Sequence, residues 1–222
     1  MKKTDEEKMF DSNAGQTGLL AKIARTFRSP ISSMSGTALF IIAGSRLSFA
    51  ISAAGALLWV FIISAFVNTA RRGIASKVRN RMFNVILSSF SGSLYFFLLY
   101  LLNPLLAVET CFICALAPVF FAGSKFCSLI ETSPADAVFQ EALYEPLSLA
   151  GLTLGFSLIR EPLGFATLSI PGGKRGIIEL FNTQGGYSYP VQMISSSTGA
   201  LFLLAYIIVI SRYIDKKKDF SL

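Results

Sequence analysis

Long apolar segments separated by short charged ones dominate the sequence between residues 31 and 211. A helix needs about 20 apolar residues, with a range of about 17 to 25, to cross a hydrocarbon core about 30 Å thick. Segments of this kind occupy residues 47–67, 82–102, 105–122 and 193–211. The pattern therefore predicts a membrane protein built from helices.

Two further apolar segments are too short to cross a bilayer as regular helices. Residues 31–45 are rich in Ser and Gly, and residues 147–159 lie between Pro146 and Pro162. Segments like these are typical of broken or partial spans, whose freed backbone groups are satisfied inside the protein. Together with the four long segments they predict six helical crossings.

The distribution of positive charge predicts the orientation. With six crossings, one side of the membrane receives 16 of the 20 Lys and Arg residues, in the N-terminal arm, the 70–81 loop, the 123–141 loop and the C-terminal tail. Cytoplasmic segments are enriched in Lys and Arg, so we expect both termini in the cytoplasm. The other side receives Arg46, Arg160, Lys174 and Arg175.

Composition supports the membrane class and disfavours two others. Hydrophobic residues make up 53% of the chain, above the roughly 45 to 50% of soluble domains. The Lys and Arg residues flank apolar segments and do not alternate with stacking aromatics, so we expect no nucleic-acid partner. The chain contains no histidine, the commonest general base and a usual ligand of catalytic zinc, which disfavours hydrolytic chemistry.

A weak internal repeat divides the membrane domain. The segment ISSMSGTALFIIA after the Ser-Pro at 29–30 aligns with LLAVETCFICALA after the Asn-Pro at 103–104. Each half then has three spans, and an odd number of crossings inverts the second copy in the membrane. The alignment makes Thr37 equivalent to Cys111.

The chain thus divides into segments with different expected roles. We expect an all-α integral membrane protein made of two inverted three-helix repeats. The predicted segments are a cytoplasmic arm (1–29), a membrane domain (30–214, with repeats 30–102 and 103–214) and a cytoplasmic tail (215–222).

Candidate chemistry is concentrated in the fourth apolar segment. Cys111 and Cys114 are three residues apart and share one face of a helix, where they could bind one metal centre with thiolates from elsewhere. The alternative to metal binding is that the two cysteines are packing residues, since cysteine packs readily as a small hydrophobe. Glu109 is a functional candidate because a carboxylate is costly among apolar residues, unless it lies near the headgroups.

Arg160 and Glu161 are the other notable charges, adjacent at the end of the short 147–159 segment. One interpretation is that they cap this span at the membrane interface. The glycines before them favour close helix packing.

Three stretches resemble one protein family: PLLAVETCFICALAPVFFAG from Pro104, LSLAGLTLGFSLIREPLGFATLSIPGG from Leu147, and GGYSYP at 185–190. The chain resembles the homologous D/E and A/E membrane subunits of the Na+-translocating NADH:quinone oxidoreductase and the Rnf ferredoxin:NAD+ oxidoreductase. The order and spacing are more similar to the D/E side. The resemblance extends over roughly residues 29 to 214.

The resemblance implies a shared cofactor. Two such subunits of opposite orientation pair, and their short first and fourth helices each offer a cysteine to a 2Fe-2S cluster within the membrane. Cys111 matches the fourth-helix cysteine and would be the metal ligand. The first-helix cysteine has no match, since Thr37 and Ala38 stand there. Cys114 could substitute, Thr37 could contribute an oxygen ligand, or the cluster could be altered or lost.

The resemblance also implies a function. The chain would be a subunit, not catalytic alone, of an Rnf- or Nqr-type complex in the cell inner membrane, helping carry electrons across it coupled to Na+ or H+ translocation. Its partners would be a homologous A/E-type subunit, flavin-bearing membrane subunits and soluble iron-sulfur subunits, with Thr110 as a hydrogen-bond donor near Cys111. The alternatives are a small-solute transporter, with Glu109, Thr37 and Arg160 facing a cavity, and a cluster-less assembly scaffold of the same complex.

Overall fold

The computed structural model describes most of the predicted membrane domain. The predicted arm (1–29), the predicted tail (215–222) and the end of the last predicted span lie outside the described residues. Those described are 30–71, 77–124, 126–129, 135–172, 176–182, 192–206 and 209.

The described chain is mainly helical. Its helices are α1 (Pro30–Ala43), α2 (Leu47–Ala70), α3 (Lys77–Leu102), α4 (Pro104–Gly123), α5 (Phe126–Leu129), α6 (Ala135–Phe165), α7 (Gln192–Ser195) and α8 (Ser197–Tyr206). One antiparallel hairpin lies between α6 and α7 in the chain, with strands β1 (Thr167–Pro171) and β2 (Ile177–Asn182).

Four helices are long and apolar enough to cross a membrane: α2, α3 from Met82 onward, α4, and α6 from Ala137 onward. Helix α1 is apolar but has only 14 residues. The structure confirms a helical fold of the membrane type. Six crossings and the inverted repeat stay predictions.

Three local predictions were wrong. The segment predicted to be short and broken at 147–159 belongs to α6, one helix of 31 residues that contains Pro146 and Pro162. A proline removes one backbone hydrogen bond and can kink a helix without ending it, which membrane helices tolerate. The fourth helix, which the resemblance predicts to be short, has 20 residues.

The third wrong prediction is the all-α fold, because the described chain contains the β1–β2 hairpin. Its strands pair Thr167 with Asn182 and Pro171 with Ile177, with an irregularity after Leu168. Backbone groups that would otherwise lie in a loop against the helices thereby bond to each other.

Helix α2 lies at the centre of the bundle and contacts α1, α3, α4, α6 and β1. Its Phe61 packs against Phe120, Phe121 and Phe126, with ring centroids 6.1, 5.1 and 5.3 Å away. Fully buried alanines such as Ala56 allow the neighbouring helices to approach closely.

A short break separates α1 from α2 at Gly44, Ser45 and Arg46. A Cβ atom at Gly44 would lie 2.7 Å from a ring carbon of Phe156 in α6. Only glycine therefore fits here without displacing that ring. The break brings the end of α1 and the start of α2 against α6.

Helices α3 and α4 are joined by the single residue Asn103, which is 3% exposed. Its side-chain oxygen accepts a hydrogen bond from the Leu106 N–H at 3.0 Å, which caps α4. Its side-chain nitrogen donates to the carbonyl of Gly176 at 2.9 Å. The turn between the two helices is thereby tied to the hairpin.

Candidate functional site

Cys111 and Cys114 lie on the same side of α4 and line one cleft. The cleft lies between α3 and α4 and has a volume of about 490 Å³. Cys111 is exposed and Cys114 is buried. The structure therefore brings the two predicted ligands together, with one thiol at the surface and the other below it.

The packing of Gly92 against Pro118 sets the distance between α3 and α4 in the cleft. A Cβ atom at Gly92 would lie 2.5 Å from Cγ of Pro118. Ser89 and Ser93 line the α3 side, and their hydroxyls donate to the carbonyls of Val85 and Ser89 at 2.9 and 3.0 Å. Their hydroxyl protons are thus engaged, and the cleft presents oxygen lone pairs and thiols.

Thr37 lies on α1, which contacts α4, but it does not line this cleft. It is exposed, and its hydroxyl donates to the carbonyl of Met34 at 3.0 Å. The structure therefore places the third predicted ligand on a neighbouring helix and outside the site of the cysteines.

The other candidates of this region have separate surroundings. The Thr110 hydroxyl donates to the carbonyl of Leu106 at 2.8 Å, so its proton is not directed to Cys111. Glu109 is exposed on α4. Cys127 is buried on α5 and does not line the cleft.

The cleft has fewer thiols than an iron-sulfur cluster needs as ligands. A 2Fe-2S cluster is normally held by four protein ligands, and this cleft offers two thiols on one helix. In the part of the chain that the structure describes, no group of three or more His, Cys, Asp or Glu side chains could hold a metal ion. Within the described residues, the cleft therefore offers two of the four ligands that such a cluster would need.

Arg160 forms a second polar site, inside the bundle. The residue is 2% exposed. Its guanidinium donates to the carbonyls of Ile194 at 3.0 Å, Ile41 at 2.9 Å, Ser195 at 2.9 Å and Ser196 at 3.0 Å. It thereby joins α6 to the end of α1 and to the α7–α8 break.

Glu161 is fully buried beside it. Its Oε2 accepts a hydrogen bond from the Leu47 N–H, the first of α2, at 2.7 Å. Its Oε1 has no hydrogen-bond partner within the described ranges. The prediction that Arg160 and Glu161 cap their own span at the interface was wrong, because α6 continues to Phe165 and the pair stabilises the ends of other helices.

The sequence signal for this pair was present, since two adjacent ionisable residues in an apolar segment mark a functional or structural site. Their partners could not be read from it, because Arg160 bonds to Ile41, 119 residues away. The four carbonyl contacts of Arg160 also disfavour the prediction that it faces a substrate cavity.

Two comparisons, with protein families and with curated proteins, find no match. The chain matches no protein-family profile. No curated protein is significantly similar to it.

Proposed function

We propose that this chain is a membrane subunit of an ion-translocating electron-transport complex of the type it resembles, the Rnf and Nqr oxidoreductases. It helps carry electrons across the cell inner membrane, coupled to Na+ or H+ translocation, and is not catalytic alone. The observation that carries the proposal is the exposure of Cys111 at the mouth of a cleft that also contains Cys114.

An outward-facing thiol is suited to a centre shared between two chains. Cys111 and Cys114 would hold one side of a 2Fe-2S cluster, and a homologous A/E-type subunit would supply the other ligands. When bound, such a cluster accepts and releases one electron at a time. The chain's own residues would position it: Gly92 and Pro118 set the width of the cleft, and most of its lining is apolar.

The surface next to the cleft supports a partner in the membrane. In the spanning part of α3 only 17% of the residues are buried, against 50% in α2. Large apolar side chains of α3 therefore face outward, among them Ile86, Phe90 and Phe97. Such a surface suits lipid or a second membrane subunit.

The cluster-less scaffold is the second candidate. Thr37 lies outside the cleft, so within the described residues only one helix contributes ligands to the site. A subunit that keeps the fold and the partner surface without binding iron agrees with this arrangement. The solute-transporter alternative has less support, because Arg160 is bonded to four carbonyls.

Purification of the complex through a tag on this chain tests the proposal. We expect flavin-bearing and iron-sulfur subunits to co-purify, with iron in excess of that held by the soluble subunits. Cys111→Ser should remove the excess iron, because the outer thiolate is lost. Cys127→Ser is the matched control, since that buried thiol lies outside the cleft, and should keep it.

Two results separate the alternatives. A complete complex without excess iron in the wild type would eliminate the cluster and leave the scaffold. Purification of the chain without any redox subunit would eliminate the proposed complex.

A further inference from the structure

The β1–β2 hairpin lies at one end of the helical bundle. The Ser169 hydroxyl of β1 donates to the Ser48 hydroxyl, in the first turn of α2, at 3.2 Å. Asn103, which joins the end of α3 to the start of α4, donates to the carbonyl of Gly176 at 2.9 Å. Helix α6 ends at Phe165, two residues before β1. The hairpin therefore lies where the four spanning helices begin or end, at the membrane boundary.

The two faces of this hairpin have the reverse of the usual polarity. An antiparallel sheet that separates a core from water normally buries apolar side chains and exposes polar ones. On β1, Thr167 and Ser169 are buried, whereas Ile170 is 37% exposed. Ile170 is paired with Ile178, which is 44% exposed, so the two share the outer face. The inner face is therefore polar and the outer face apolar.

Helix α2 provides hydrogen-bond partners for the polar inner face. Besides donating to the Ser48 hydroxyl, Ser169 Oγ accepts a hydrogen bond from the Ser48 N–H at 3.4 Å. On the other strand, Leu180, two residues after Ile178, is exposed as well. The polar side of the strands is thus matched by the protein, whereas large apolar side chains are directed outward.

The hairpin also adjoins the lipid-facing surface of the helices. Leu101 and Leu102 are the last residues of α3, Leu105 lies in the first turn of α4, and all three are exposed. A Cβ atom at Gly176 would lie 2.5 Å from Cδ2 of Leu105, so the hairpin packs against this surface. Contiguous exposed apolar residues mark a surface that contacts a membrane or another protein. Because outward leucines at the end of a spanning helix face lipid, this continuity favours the membrane.

We propose that the outer face of the hairpin, with Ile170 and Ile178 at its centre and Leu180 beside them, inserts into the lipid interface at this end of the bundle. A two-stranded sheet has unpaired backbone groups along its edges, which the hydrocarbon core does not tolerate. The strands therefore lie at headgroup level, and only the apolar side chains reach the acyl chains. The hairpin is thereby an anchor that holds the start of α2 at the membrane surface. This inference goes beyond the proposed function and does not depend on it.

Fluorescence quenching tests the insertion. In the full chain, with its native cysteines replaced by alanine and reconstituted in phosphatidylcholine nanodiscs, a nitrobenzoxadiazole label is attached to Ile178→Cys or to Glu179→Cys. The two positions are adjacent and exposed but lie on opposite faces of the strand. Interfacial segments bury an apolar face by about 5 to 10 Å, so a nitroxide near the top of the acyl chain should quench position 178 at least about threefold more than position 179. Iodide in the water should give the reverse order. Leu101→Cys provides the reference for a lipid-facing position.

Ile170→Cys, whose position is paired with 178, should behave like Ile178→Cys and keeps the test decisive if that variant does not fold. Equal quenching of 178 and 179 by the lipid nitroxide, with iodide reaching both, would place the outer face in water and overturn the proposal. A label at 178 that iodide reaches in nanodiscs, but not in the chain purified with its native partners, would show that a protein covers this face and would overturn the proposal too. Quenching involves no electron transfer, so these results do not bear on the redox proposal.

Discussion

Arg160 and Glu161 are consecutive residues of α6, yet each stabilises the end of a different helix. Arg160 donates to the carbonyl of Ile41 in the last turn of α1, and Glu161 accepts from the N–H of Leu47 at the start of α2. A helix carries partial negative charge at its C-terminus and partial positive charge at its N-terminus, so each side chain meets the complementary end. The break between α1 and α2 is therefore held from α6.

Replacing Arg160 with lysine should lower the free energy of unfolding by at least about 3 kcal/mol, because one ammonium cannot reach the four carbonyls that the guanidinium bonds. Denaturant titration in mixed micelles measures the loss. Arg46→Lys is the control. The Arg46 guanidinium is half-buried, 5.5 Å from the ring centre of Phe165, and its replacement should cost less than about 1 kcal/mol. Equal losses in the two variants would contradict the carbonyl clamp.

Replacing Glu161 should separate its charge from its hydrogen bond. Glu161→Gln keeps an acceptor for the Leu47 N–H but loses the charge at the helix N-terminus, and should cost about 0.5 to 2 kcal/mol. Glu161→Leu should cost more, because it leaves that N–H buried without its acceptor. The same titration ranks the two variants. A stabilising Glu161→Leu would show that the cap contributes nothing to stability.

Gly92→Ala should destabilise the α3–α4 packing by about 1 to 3 kcal/mol, since the added methyl meets Pro118. Gly151→Ala is matched to it, because Gly151 is also a helical glycine, but a methyl added there would meet no atom within 4 Å apart from its own helix backbone and chain neighbours. That control should be neutral or stabilising by up to about 1 kcal/mol. Thermal unfolding of both variants in detergent tests this. Equal behaviour would mean that α3 and α4 do not approach as closely as Gly92 indicates.

The predicted orientation is open to a direct measurement. Ser76→Cys, in a chain without Cys111, Cys114 and Cys127, should resist a membrane-impermeant maleimide in intact cells and react after lysis, because the loop carries positive charge that favours the cytoplasm. A cysteine introduced at Lys174 should show the opposite pattern. Labelling of Ser76→Cys in intact cells would invert the topology.

Much of the fold could be predicted from the sequence because the bilayer imposes a length on apolar segments. The predicted segments at 47–67, 82–102 and 105–122 correspond to α2, α3 and α4. The ends of α6 could not be predicted in this way. Pro146 and Pro162 are local stop signals, and contacts of α6 with α2 and β1 override them.

The candidate site was predictable in part for a similar reason. A spacing of three residues places Cys111 and Cys114 on one side of a helix wherever the helix packs, and both line the cleft. Thr37 was predicted as a ligand because the repeat alignment makes it equivalent to Cys111. An alignment equates positions in two helices but does not determine which way each helix faces. The carbonyl partners of Arg160 depend on chain segments brought together only by folding.

The one-residue turn at Asn103 has a consequence for biosynthesis. Because only Asn103 joins α3 to α4, no loop separates the two helices. We therefore expect α3 and α4 to enter a bilayer together, as one helical hairpin. The bond of Asn103 to Gly176 joins residues 73 apart in the chain, so the tie between this hairpin and the strands forms only after the chain has been synthesised through Gly176.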